Sequence, residues 1–408
     1  MTTQPQTRKI DDPARQAAGL LIRLGVAVLA IGTPCAAVVS RRLIFTMMPV
    51  GAALILLGVL LDPKRVDLAE LRRAVLSPMG MTALFLLFWM GLSLVWTPFP
   101  SQAGERYVKS AGTALLAAAA AASLPAHTKT SNLYLLPVGL AAAALATFVV
   151  AIMAPAPPAA NLESSTIDRA SLTLIMLMWP ALAALAVRER WASAGALAVA
   201  VAIAAITVWT PLALAALAVG AITFALATSA PQRVGLVLGV ALAAVVLLAP
   251  LIAVALAPLV PGDGALASTL RAGAQIVTTE GLRLLPGHGF DTALRSIGIG
   301  YLPADTPRTV VFEIWYELGL VGAVAAAALV FLAFRGAGAA SKSAAPFLLA
   351  TLVCGLTIGL SGLVTAQLWW VTLLAVAGTQ FALVVKGLYR SVRPAAQVVS
   401  AGSPRMQS

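Results

Sequence analysis

The sequence predicts an all-α fold, a polytopic transmembrane bundle of about twelve helices with one long loop carrying an amphipathic helix. Three observations carry that expectation. Hydrophobic residues make up 60% of the 408-residue chain and charged residues 10%, where a soluble domain has about 25% charged residues. Apolar runs long enough to cross about 30 Å of hydrocarbon recur from end to end. Period-two alternation, the mark of a membrane barrel, is absent. Backbone groups in lipid find no water, so the runs must close their hydrogen bonds internally, as helices do.

In chain order the first run, 18–39, follows a polar tail at 1–17. It lacks a small-residue cleavage site and reads as an uncleaved anchor. Further runs follow at 43–61, 80–96, 108–124, 132–154, 171–187, 193–209, 211–228 and 233–259. After a polar interruption come 310–334, 345–362 and 364–386, then a tail at 387–408. The division at Trp209-Thr210-Pro211 is the least secure, because proline permits either a turn or a kinked continuous helix. Residues 18–386 make one membrane domain, and no internal repeat is visible.

The net charge of +12 is not a nucleic-acid signal, because Lys and Arg are spread over short loops where they set topology. Most of them, including Arg15, Lys64, Arg72, Arg188, Arg233, Arg335 and Lys386, fall on one side of the bundle together with both termini. That side is expected to be cytoplasmic in a bacterial inner membrane, leaving 97–107, 155–170 and 261–309 outside. Arg41, Arg42, Arg106 and Lys109 run against the trend. Cys35 and Cys354 lie in apolar runs far apart and read as small buried residues rather than a disulfide.

The 261–309 break holds four arginines, four acids and one of the chain's two histidines. Leu266, Leu270, Ala274, Val277, Leu282 and Leu285 recur at helical spacing, so an amphipathic helix is expected over about 265–285, ended by Pro286-Gly287. Arg169, Arg271 and Arg308 are the first candidates for binding, since a guanidinium fork suits phosphate or diphosphate. Interfacial snorkelling is the alternative. Glu313 and Glu317, one turn apart, read equally as a base with a supporting carboxylate that orients an arginine at a polar cavity, or as partners in a salt bridge that fixes the loop to the bundle. His288, between glycines in Pro286-Gly287-His288-Gly289-Phe290, is the other base candidate. Asp168, beside Arg169, is a supporting residue at the mouth of its helix.

Four stretches resemble the O-antigen ligase and O-antigen polymerase superfamily of bacterial inner-membrane proteins. Leu92-Ser-Leu-Val-Trp96-Thr-Pro98 looks like the family's Leu-Ser-x-x-Trp-Ser-x-x-Pro. Asp168-Arg169-Ala170 is similar to its Arg-Asn-x-x-Ala element. Arg271 followed by Pro286-Gly287-His288-Gly289-Phe290 looks like its arginine, amphipathic helix and glycine turn. Glu313-Ile-Trp315-Tyr-Glu317-Leu-Gly319-Leu-Val-Gly322 is close to its closing helix. Two positions differ. The family's His-Asn reads Arg308-Thr309 here, and its Ser-Arg reads Val208-Trp209.

The resemblance implies a glycosyltransferase that needs no metal or cofactor. Its donor would be a glycan on undecaprenyl diphosphate, presented at the periplasmic face for cell-surface polysaccharide assembly. The acceptor would be a hydroxyl on a glycan or lipid, with membrane lipids and polysaccharide assembly proteins as further partners. On this reading Arg169, Arg271 and Arg308 hold the diphosphate, and Glu313 or His288 is the base. Ligase and polymerase share this chemistry. A non-catalytic subunit binding a lipid-linked glycan, or a transporter, stays open beside it, although polar residues gather at one face rather than at the midplane.

Overall fold

A computed structural model describes residues 13–40, 42–62, 68–125, 130–153, 166–262, 264–279, 281, 283–302, 306, 309–361 and 369–387. Among these the regular structure is helical, with no strand, in the order α1 (Pro13–Val39), α2 (Leu43–Leu61), α3 (Leu68–Val75), α4 (Pro78–Val95), α5 (Pro100–Ser123), α6 (Asn132–Met153), α7 (Thr166–Ala186) and α8 (Trp191–Val208). There follow α9 (Pro211–Ser229), α10 (Pro231–Leu259), α11 (Ala265–Thr279), α12 (Ala293–Gly298), α13 (Val310–Gly338), α14 (Ala345–Leu360) and α15 (Trp369–Lys386). Within the described residues, each apolar run expected from the sequence overlaps one of these helices; residues 364–368 of the last run lie outside them. Among the described residues, ten helices are long and apolar enough to cross a membrane. Of the expected crossings, α5 is excluded from that set, and its first turns carry Glu105, Arg106 and Lys109; α14 is shorter, at 16 residues.

The division between α8 and α9 is a real break. Trp209 ends α8 in the left-handed region at φ 56° and Thr210 is extended. Pro211 then opens α9 at the position where its missing N–H costs nothing.

At the centre stands α7. Every residue from Arg169 to Ala186 is buried, packed by α1, α6, α8, α14 and α15. A helix apolar on all faces belongs inside a bundle, and α7 follows that rule. In lipid, helices associate through close packing rather than through a hydrophobic drive. The α10–α13 pair shows how: a Cβ on Gly235 would stand 2.6 Å from the Phe334 carbonyl oxygen, so the two backbones meet where no side chain fits. Cys354 is buried and Cys35 half-buried, both as free thiols.

The amphipathic helix is shorter than its apolar spacing suggested. It ends at Thr279, and the described residues from 281 to 286 are turns. Thr278 and Thr279 turn their hydroxyls back onto the Ala274 and Gln275 carbonyls, which loosens a helix end. Gly281 follows, and glycine disfavours continuation. Leu270, Gly273 and Val277 of α11 face α10 across a cavity described below.

Candidate functional site

The site is built on a break in α13. Its second turn, Ile314–Leu318, is a π-helix, and Gly319 follows with φ 65°. A π-turn closed by a left-handed residue releases carbonyls from the helix ladder, and each buried carbonyl left unmet costs about 1–3 kcal/mol. Here three released carbonyls find donors from distant parts of the chain. The Tyr316 carbonyl accepts from the His288 amide at 2.8 Å, and the Glu317 carbonyl from the Gly289 amide at 2.9 Å. The Leu318 carbonyl accepts from the Trp89 indole at 2.9 Å. In return the Leu320 amide donates to the Leu284 carbonyl at 2.7 Å.

This clasp explains the Pro-Gly-His-Gly-Phe motif. Gly287 and Gly289 both have positive φ, at 78° and 98°. A Cβ on Gly287 would stand 2.3 Å from the Glu317 carbonyl oxygen, and one on Gly289 2.6 Å from Thr97 Cα. The motif is further pinned to the end of α4. The Phe290 amide donates to Ser93 Oγ at 3.1 Å, and Thr97 Oγ1 donates to the Phe290 carbonyl at 3.1 Å. The Leu-Ser-x-x-Trp stretch therefore serves as the seat of the glycine turn.

Beside the clasp lies a buried charge network. Arg106 of α5 pairs with Asp291 and reaches Glu313 Oε2 at 3.9 Å. Asp291 also takes Arg295 at 2.8 Å. Glu317, 4% exposed, accepts from the Ala293 amide at 3.2 Å. Burial works against the Arg106 charge, but Glu317, Glu313 and Asp291 outweigh it and hold the guanidinium above its ordinary range. Phe290 packs beneath it, 5.7 Å from the guanidinium carbon to the ring centroid.

Two cavities meet at Tyr316. One, of about 640 Å³, is lined by Phe99, Arg283, His288, Thr292, Ser296, Tyr301 and Tyr316 among others. The second, of about 310 Å³, lies between α10, α11 and the start of α13 and is walled by apolar side chains such as Ile252, Leu270, Val277, Phe312 and Trp315. The wall between them is an aromatic stack. His288 lies on Tyr316 with ring centroids 4.0 Å apart and planes 9° from parallel. Phe312 stacks on Tyr316 with centroids at 5.8 Å, also 9° from parallel. Thus the imidazole lines the polar cavity, the phenyl ring lines the apolar one, and Tyr316 belongs to both.

His288 Nδ1 stands 2.9 Å from the Tyr316 carbonyl oxygen. A carbonyl only accepts, so the proton is assigned to Nδ1, and Nε2 becomes the basic nitrogen of the ring. Backbone amide, Nδ1 and ring face are all fixed by Tyr316, whose hydroxyl donates to Ser296 at 3.3 Å. An imidazole so held can accept a proton from a hydroxyl in the cavity.

The residues expected from the sequence divide into two groups. Glu313, Glu317 and His288 converge here. Arg271 does not join them: it is exposed and folds back to donate to the Gly262 and Ala267 carbonyls, tying α11 to its own entry loop. Its long side chain finds backbone acceptors one to three turns away, and it lines neither of the two cavities. Arg169 is buried at the start of α7, where its neighbour Asp168 accepts from Thr210 at 2.6 Å. That helix packs on α6, α8 and α14 rather than on the elements around Arg106. Arg308 lies outside the described residues.

Sequence reasoning missed Asp291, Arg295 and Tyr316, and took Arg106 for a topological residue at a helix edge. A signal was available: Arg106 sits two turns inside a helix opened by Pro-Phe-Pro, and Asp291 follows the glycine motif directly. No protein-family model matches this chain, and no curated protein shows significant similarity to it.

Proposed function

We propose that this chain is a polytopic glycosyltransferase of the bacterial inner membrane, of the O-antigen ligase or polymerase type. It would move a glycan from undecaprenyl diphosphate to an acceptor hydroxyl at the periplasmic face, in cell-surface polysaccharide assembly. The observation that carries the reading is the juxtaposition at Tyr316 of an apolar cavity with a polar one. A lipid-linked glycan is an apolar chain joined to a polar head, and a wall of His288, Tyr316 and Phe312 suits the junction. The four motif resemblances support it independently, and three of them meet in the clasp.

In the reaction proposed, His288 Nε2 takes the proton of the acceptor hydroxyl as its oxygen attacks the anomeric carbon. The bond from that carbon to the diphosphate oxygen breaks, and lipid diphosphate leaves with the electron pair. Glu313 and Glu317 hold the clasp and the charge network rather than acting as bases, since both are engaged with Arg106 and one is deeply buried.

The topology belongs to the same proposal: twelve crossings, both termini cytoplasmic and 261–309 periplasmic. Three contacts fit that alternation. Asp168 meets Thr210 at the proposed outer side. Lys386 donates to the Ala122 and Leu124 carbonyls, and Arg188 to the Tyr134 hydroxyl, at the proposed inner side.

Cells carrying His288→Ala as the sole copy test the function. They should lose surface polysaccharide and accumulate lipid-linked glycan at unchanged protein level. Normal polysaccharide in these cells, or in cells lacking the chain altogether, would remove the reading.

A further inference from the structure

Of the cations built into the site, Arg106 and Arg295 are already committed to Asp291. Arg283 is different. It is exposed, lines the polar cavity with His288, and among the described residues no acid or carbonyl takes its guanidinium. It sits four residues before Gly287, whose amide donates to the Arg283 carbonyl at 2.9 Å. The backbone carrying Arg283 is therefore anchored to the clasp while its charged end is left to the cavity.

The rest of the lining has a consistent chemistry. Phe99 and Tyr301 offer aromatic faces, and Tyr301 is 82% exposed. Thr292 and Ser296 offer hydroxyl groups. Aromatic faces stack on the C–H faces of sugar rings, hydroxyls bond sugar hydroxyls, and a guanidinium fork selects an oxyanion. The volume of about 640 Å³ sits within the ordinary range of ligand sites, about 300–1,000 Å³.

We infer that this cavity binds an anionic saccharide and that Arg283 reads the oxyanion. The inference deepens the transferase reading by naming the substrate chemistry at its polar half. The oxyanion is either an acid group carried on the sugar or the diphosphate joining sugar to lipid; the guanidinium geometry is common to both.

Binding to purified full-length protein in nanodiscs tests the assignment, using inorganic diphosphate, a glucuronate-containing disaccharide and its neutral glucose counterpart. Wild type should bind at least one anionic probe saturably and more tightly than the neutral sugar. Arg283→Ala should weaken that probe roughly ten- to hundredfold, and Arg283→Lys should recover only part, because lysine keeps charge without the fork. Tyr301→Ala should weaken the disaccharides and leave diphosphate unchanged. Dependence of the acidic disaccharide on Arg283 would place the oxyanion on the sugar; dependence of diphosphate would place it on the donor's linkage. If Arg283→Ala binds both anions as wild type does, the assignment of Arg283 is overturned while the transferase reading stands. If wild type binds none of the probes, the cavity assignment is overturned, and only loss of polysaccharide in His288→Ala cells would still uphold the transferase reading.

Discussion

Replacing Arg106 with alanine should be among the most damaging single changes in the molecule, and its size follows from the charges left behind. Arg106 and Arg295 together face Asp291, Glu313 and Glu317. The Asp291 side chain is 2% exposed and that of Arg106 19%. Truncating one partner of such a buried pair costs about 3–5 kcal/mol, because the other charge stays buried without compensation. Arg295 still holds Asp291, so the low end, about 3 kcal/mol, is expected. The assay is unfolding in mixed micelles of non-denaturing detergent and SDS, followed by circular dichroism. Arg106→Ala should lower the unfolding free energy by that amount. Adding Asp291→Asn should return much of it, since the carboxylate that needed the cation is gone. A double-mutant cycle then gives a coupling of about 1–3 kcal/mol for residues in one network. A loss below about 0.5 kcal/mol, the level of an ordinary surface change, would refute the reasoning.

Three further outcomes follow from the same geometry. Gly289→Ala should destabilise by at least the ~1–2 kcal/mol of a left-handed residue, with added cost from its approach to Thr97; unchanged protease resistance of the loop would contradict the clasp. Tyr316→Leu removes two ring stacks, about 0.5–1.5 kcal/mol each beyond buried area, whereas Tyr316→Phe keeps both. Unfolding midpoints should therefore rank wild type, Phe, then Leu, and equal midpoints for Phe and Leu would show that the stack contributes nothing. In a background free of Cys35 and Cys354, Ser101→Cys should react with an impermeant maleimide in intact cells and Ser341→Cys only after lysis. The reverse pattern would invert the topology.

The helices were legible because length and hydropathy determine them in a lipid solvent, whatever the rest of the chain does. The break between α8 and α9 rested on one proline and was settled by Trp209, whose left-handed backbone no propensity announces. Pro-Gly-His-Gly-Phe was legible as a close-approach turn, since only glycine tolerates a backbone 2.3 Å from an added Cβ. What it approaches was not, because the π-turn in α13 is a tertiary feature with no sequence period of its own. In the sequence Arg106 was only a basic residue running against the one-sided charge distribution. Its role appears only when folding brings Asp291, 185 residues away, against it. Arg271 stands apart from that site for the converse reason: an arginine on an amphipathic helix can bond locally, and the carbonyls of Gly262 and Ala267 are close at hand.

The central claim is that His288, oriented by Tyr316 at the meeting of an apolar and a polar cavity, serves glycan transfer from a lipid diphosphate. The most direct measurement is release of undecaprenyl diphosphate from a lipid-linked glycan by purified protein in liposomes, with and without acceptor. Acceptor-dependent release by wild type, lost in His288→Ala while the donor still binds, is the predicted result. Donor binding without any release in either protein would make the chain a glycan-binding subunit and contradict the account.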